Sequence, residues 1–125
     1  MILFLDKDPQ RAALAYNRMS EADRGNTVWC RTVEEAVSTL RDYPLTRVHL
    51  EHDLGDEQYA NTKRDDCGME VVRFLEKWHR EEPETFVKFK DTKFIVHTWN
   101  DHAGPIMLER LLKIGLSTEL KPFGM

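Results

Sequence analysis

Short apolar runs alternate with amphipathic helical patterns along this chain, and that alternation restricts the fold more than any other feature. Ile2 to Leu5 reads as a buried strand, and Asp8-Pro9 then sets an N-cap beside a proline at the first helical position. Ala12, Ala13, Ala15, Tyr16 and Met19 supply the apolar face of that helix, and residues 20–26 connect it to a second strand at 27–31. Thr32-Val33-Glu34-Glu35 is a capping box, which opens a helix through Ala36, Val37 and Leu40 that Tyr43-Pro44 ends.

A third strand at 47–51 runs into His52-Asp53-Leu54-Gly55 and a polar loop lasting to Gly68, long enough to predict a functional role. From Gly68, the spacing of Val71, Val72, Phe74, Leu75 and Trp78 makes a third helix, with Pro83 as its exit. Residues 93–98 form the fourth strand. Asn100 or Asp101 caps the fourth helix, whose stripe is Ile106, Met107, Leu108, Leu111 and Leu112 and whose stop is Gly115; residues 118–121 form the fifth strand.

The sum is one α/β domain over residues 1–125, with five strands, four helices and a mainly parallel, doubly wound sheet. No helical pattern follows the fifth strand, so the last helix is expected to be absent and part of one sheet face left open. Arg47, His49 and Glu51 alternate with Val48 and Leu50, and Glu119 and Lys121 with Thr118 and Leu120, as a half-solvated sheet requires. Closure of the remaining apolar area predicts a homodimer.

Ligands of open parallel sheets bind beyond the carboxyl ends of the strands. Here those ends carry Asp6 and Asp8, then Glu51-His52-Asp53, then His97-Thr98-Trp99-Asn100, then Lys121-Pro122-Phe123. Carboxylates, imidazoles, a hydroxyl and an ammonium converge on one rim.

Asp6-Lys7-Asp8-Pro9, Glu51, Thr98 and Lys121-Pro122-Phe123, with Gly68-Met69-Glu70-Val71-Val72, resemble the receiver domains of two-component signalling. Leu50-Glu51-His52-Asp53-Leu54-Gly55, Val96-His97-Thr98-Trp99-Asn100, Gly104 and Met107 are more specifically similar to the receiver-like family proposed to process nucleotide-derived cyclic phosphates. The resemblance spans essentially the whole chain. It implies a flavodoxin-like, receiver-like sheet of order 2-1-3-4-5.

Two positions depart from the pattern. Lys7 stands where ordinary receivers have a second acidic residue, and Glu51 stands where the phosphoacceptor aspartate would be. An ammonium in place of a carboxylate weakens a site for a hard divalent ion unless Asp8 or Asp53 compensates, or Lys7 itself takes the place of the metal. The extra methylene of Glu51 makes accumulation of an acyl phosphate unfavourable.

The resemblance therefore implies a metal-assisted phosphoesterase, a hydrolase acting on a small nucleotide-derived phosphate, cyclic ones included. Asp6, Asp8, Glu51 and Asp53 would hold Mg²⁺ or Mn²⁺, since hard oxygen donors suit those ions. His52, His97 and Asp53 would be the catalytic groups, while Thr98, Asn100 and Lys121 would bind the substrate. Simpler roles stand beside these: Asp8 and Asn100 as helix caps, and His52 and His97 as structural donors. The alternative function is a non-catalytic receiver-like regulatory or ligand-binding module, with Glu51 as a permanently charged acceptor.

A net charge of −4 argues against an electrostatic grip on duplex nucleic acid or a membrane surface, and no apolar run approaches spanning length. Lys88, Lys90 and Lys93 read as a solvated edge. Cys30 and Cys67 lack a pairing motif, so reduced thiols and a cytoplasmic location are expected.

Overall fold

The computed structural model describes residues 1–54 and 62–122; Gly55 and Phe123, named above, lie outside the described residues. Strands β1 (Ile2–Leu5), β2 (Thr27–Cys30), β3 (Arg47–Leu50), β4 (Lys93–Val96) and β5 (Ser117–Leu120) form one sheet in the order β2-β1-β3-β4-β5. Every pairing is parallel, with Leu5, Leu50, Val96 and Leu120 in register at the carboxyl end. This is the receiver-like, flavodoxin-like arrangement expected from the sequence.

The helices are α1 (Pro9–Arg18), α2 (Glu21–Arg24), α3 (Val33–Asp42), α4 (Gly68–Glu81), α5 (Pro83–Phe86) and α6 (Ala103–Lys113). Four of them answer to the expected helices, and the short α2 and α5 are additions. In the connection after α1, Ser20 accepts from the Asp23 amide at 3.1 Å and so starts α2. Pro83 ends α4 but also serves as the first residue of α5, and a 3₁₀ turn at Val87–Phe89 follows. Burial of Phe86 and Phe89 against Trp78 holds that segment down. Lys88, read from sequence as part of a solvated edge, is exposed and also donates to the carbonyls of Leu40 (2.6 Å) and Tyr43 (3.1 Å), where α3 ends.

The two sheet faces differ. Leu3, Leu5, Val48, Leu50, Phe94 and Val96 join the main core with Ala36 and Leu40 of α3, Met69, Val72 and Leu75 of α4, and Met107 and Leu111 of α6. Phe4, His49 and Ile95 point the other way, where His49 and Arg47 are only partly covered, so the predicted half-open face is present. Among the described residues, no helix is long and apolar enough to cross a membrane. Cys30 and Cys67 are both buried and neither is in a disulfide.

Gly68 fixes how α4 meets the end of β3. Its amide donates to the His52 carbonyl at 2.7 Å, and a Cβ built there would sit 2.1 Å from the Glu51 carbonyl oxygen and 2.8 Å from His52 Cα. Backbone cannot retreat cheaply from such an overlap. Gly68→Ala is expected to destabilise the fold by about 2–3 kcal/mol, measured by urea unfolding, whereas Gly25→Ala, with its nearest neighbours at 3.7 Å, should be close to neutral.

Candidate functional site

Parallel register, rather than any loop, assembles the centre of the site. One residue beyond each strand, the Asp6 amide donates to the Cys30 carbonyl (3.0 Å), Glu51 to Leu5 (3.1 Å), His97 to Leu50 (3.0 Å) and Lys121 to Val96 (2.8 Å). These four residues therefore occupy a single row across β1, β3, β4 and β5. The expected strand ends at 51, 98 and 121 ran slightly past the observed ones, because the ladder stops as the chain turns toward this row.

Asp6 is fully buried, yet it is densely bonded. Arg11 donates Nε to its Oδ2 and Nη2 to its Oδ1, both at 2.8 Å, and the Asp8 amide donates to Oδ1 at 2.9 Å. The Nε2 of His97 lies 3.5 Å from Oδ2, and Trp29 Nε1 donates to the Asp6 carbonyl at 2.6 Å. Burial alone would raise the Asp6 pKa, but His97, Arg11 and the Asp8 amide together hold it below the ordinary carboxylate value. Asp6 stays charged.

Glu51 is the opposite case. Burial pushes its pKa up, with His97, Thr98 and the Asp53 amide opposing and failing to offset it. Its Oε1 accepts from the amides of His52 (2.7 Å) and Asp53 (3.2 Å), and Oε2 lies 4.0 Å from Arg11 Nη2. The Thr98 hydroxyl bonds to Glu51 and accepts from the Asn100 amide at 3.0 Å.

Beside this row lies a second polar chain. His52 Nδ1 and Asp53 Oδ1 are 2.8 Å apart, and Asn100 Nδ2 reaches both, at 3.3 Å from the imidazole and 3.2 Å from the carboxylate. Asn100 Oδ1 accepts from Ala103 (2.8 Å) and His102 (3.1 Å), so the start of α6 orients the amide. On its other side the His52 ring meets the thiol of Cys67, the N-cap residue of α4. Burial alone would lower the His52 pKa, but Cys67 and Asp53 raise it; burial alone would raise that of Cys67, but His52 and the amides of Met69 and Glu70 lower it.

The match to known sequences agrees with this geometry: the family model of the cyclic-phosphate processing receiver domain covers residues 1–113. The chain belongs to this family. No curated protein is similar to it at a significant level.

In this cyclic-phosphate processing receiver domain, the expected site residues fall into different roles. Asp6, Glu51 and His97 converge, with ligand atoms within 4.8 Å of one another. Asp8 caps α1 through the Gln10 amide (2.8 Å) and lies 3.6 Å from Arg11, while Asp53 faces His52 and Asn100. His52 is fully buried behind Asp53, whose side chain is 17% exposed and reaches the rim. Thr98 is buried against Glu51, and Lys121 extends to Glu119 (3.4 Å) on the open face.

A divalent ion would suit Asp6, Glu51 and His97 better than the four carboxylates named from the sequence. In the present arrangement, however, the Arg11 guanidinium already brackets Asp6 and balances the buried charge, so the residues as placed do not form a metal cage. Sequence reasoning missed Arg11, although its place in the first turns of α1, three residues after Asp8, was a usable signal. It also read Cys67 only as a reduced thiol, although a cysteine directly before the glycine that opens a helix stands where His52 and the helix amides lower a thiol pKa.

Two outcomes are expected. Arg11→Ala should destabilise the domain by about 3 kcal/mol, since a buried Asp6 loses its partner, and Mn²⁺ should raise the melting temperature of that variant but not of the parent, read by thermal unfolding with and without the ion. For Glu51, a folded pKa above the ordinary 4.5 means that stability falls as pH rises through and beyond that value. Glu51→Gln should therefore be more stable than the parent near neutral pH, with the gain vanishing below pH 4.5 in denaturant titrations across pH.

Proposed function

We propose that this domain is a phosphoesterase that opens a nucleotide-derived cyclic phosphate. Supporting it most directly is the guanidinium held by buried Asp6 beside the His97 ring: a fixed cation and an imidazole adjoin at the strand ends, where such sheets bind phosphates. Arg11, oriented by two bonds to Asp6, would contact the non-bridging phosphoryl oxygens. His97, stacked on Phe4 with ring centroids 5.0 Å apart, has one orientation in which to pass a proton.

In the proposed step, water attacks phosphorus and gives its proton to Asp53, and the ring P–O bond breaks. The departing alkoxide takes a proton from His97. One water is consumed, and the product is a phosphomonoester with a free hydroxyl. His52 and Asn100 act as positioning residues, because they hold Asp53 from behind without reaching the rim themselves. Glu51 does not take a phosphoryl group in this scheme, since one oxygen is bonded to two amides and the side chain is buried.

Burial of both histidines favours one other reading, a binding module that holds the same phosphate without turning it over. The two separate in one experiment: nucleoside cyclic phosphates incubated with the protein, with Mg²⁺, with Mn²⁺ and with chelator, and followed by ³¹P NMR. Turnover that survives chelation and falls about 100-fold or more in His97→Ala is the expected result. Binding without turnover under every condition would leave the module reading, and turnover that requires a divalent ion would reassign Asp6, Glu51 and His97 to a metal.

A further inference from the structure

On the open sheet face a groove of about 440 Å³ runs beside α1, with Phe4, His49 and His97 along its floor and Arg47, Lys93 and Lys121 along its rim. Register orders these residues. Arg47 pairs with Lys93 at the amino end of the sheet; His49, Ile95 and Glu119 form the next row on this face; Glu51, His97 and Lys121 form the last. The groove thus starts far from the site described above and ends in it, at His97.

Its charge runs against that of the molecule. The chain is acidic overall, at −4, whereas Arg18, Arg47, Lys93 and Lys121 line this one groove with Asp23 as the acidic residue among them. Glu119 is shared, 2.7 Å from Lys93 and 3.4 Å from Lys121, and Asp23 lies 3.6 Å from Arg47. Arg47 Nε donates to His49 Nε2 at 2.8 Å, which fixes the imidazole as an acceptor there, and burial pushes the His49 pKa down to about 3, so the ring is neutral. Among the described residues, Arg47, Lys93 and Lys121 stand along this groove against Asp23 and Glu119.

An apolar partner is a poor fit. Phe4 is 2% exposed and Ile95 8%, so little apolar area on the floor is left to bury, and a helix or second copy would have to strip water from a charged rim for small return. An anion matches it. We infer that the groove is a second phosphate subsite, so that the substrate is a nucleotide bearing, besides the cyclic phosphate that reacts beside His97, a further phosphate or pyrophosphate held by Arg47 and Lys93. Four residues of strand separate the two ends, about 13 Å at 3.3 Å per residue, a reach suited to one nucleoside with a diphosphate at its far side. The inference rests on the proposed function for the reacting end only.

The test uses Lys93→Glu, an exposed position outside the candidate site, and two probes. Inorganic pyrophosphate should bind the parent in calorimetry, more weakly as salt rises, and bind Lys93→Glu about tenfold or more weakly. A nucleoside 2′,3′-cyclic phosphate with a 5′-diphosphate should be turned over with a higher kcat/KM than the same nucleoside without it, chiefly through KM. That advantage should disappear in Lys93→Glu, while turnover of the short substrate stays unchanged. Pyrophosphate that does not bind, or that binds both proteins equally, overturns the inference. So does a dimer in sedimentation that Lys93→Glu dissociates, since a second copy would then fill the groove. Failure of both nucleotides to react would remove the enzymatic reading and leave the pyrophosphate measurement to decide this one.

Discussion

Two carboxylates buried side by side at the end of a parallel sheet need a cation, and in this protein Arg11 supplies it. Asp6 and Glu51 come together because β1 and β3 are neighbours in register, a consequence of backbone hydrogen bonding between the two strands. Without a counter-charge, the mutual repulsion and desolvation of the pair would oppose that register. The guanidinium bonds Asp6 twice and approaches Glu51, and the two acids respond differently: Asp6 keeps its charge, while Glu51 is pushed toward its neutral form. A single proton more or less at Glu51 thus sets the net charge of the site.

That balance depends on the helices at the rim. Asp8 starts α1 and so places Arg11 one turn along, facing back over the end of β1. Gly68 starts α4 against the Glu51 carbonyl, which fixes Cys67 beside His52. His102, rather than the expected Asn100 or Asp101, is the N-cap residue of α6, while Asn100 accepts from the amides of His102 and Ala103 and turns its amide nitrogen to Asp53. The residues at or just before the start of each helix are therefore the same ones that orient the polar chain. A strand-end site of this kind is rigid because its supports also hold the starts of its helices.

Periodicity made the architecture legible before any coordinates, since strand and helix repeats differ and the Asp8-Pro9, Thr32 and Gly115 signals bracket their helices. Gly115 indeed takes a positive φ of 85° where α6 stops. Two short helices escaped notice because four residues carry too little periodicity to register. Within the site, residues one step beyond a strand were readable, which covers Asp6, Glu51 and His97. Orientation was not: whether Asp53 turns toward Glu51 or toward Asn100 depends on where α6 begins in space. Arg11 could be placed three residues after Asp8 in the first turns of α1, but the carboxylate it brackets is fixed only once that helix is docked.

Position 51 separates this domain from a phosphorelay receiver on physical grounds. A phosphoacceptor must present a charged carboxylate oxygen to an incoming phosphoryl group, with room for in-line attack. Glu51 is 1% exposed, its Oε1 is bonded by two backbone amides, and burial raises its pKa, which works against the charged form that such an attack needs. The groups that remain near the rim are Asp53 and Arg11, with the His97 ring opening to the groove. In the proposed reaction, this carboxylate, guanidinium and imidazole would act on a phosphate that belongs to a ligand rather than on one stored on the protein. Glutamate at this position therefore sets the side chain against the backbone amides of His52 and Asp53 rather than toward an incoming phosphoryl group.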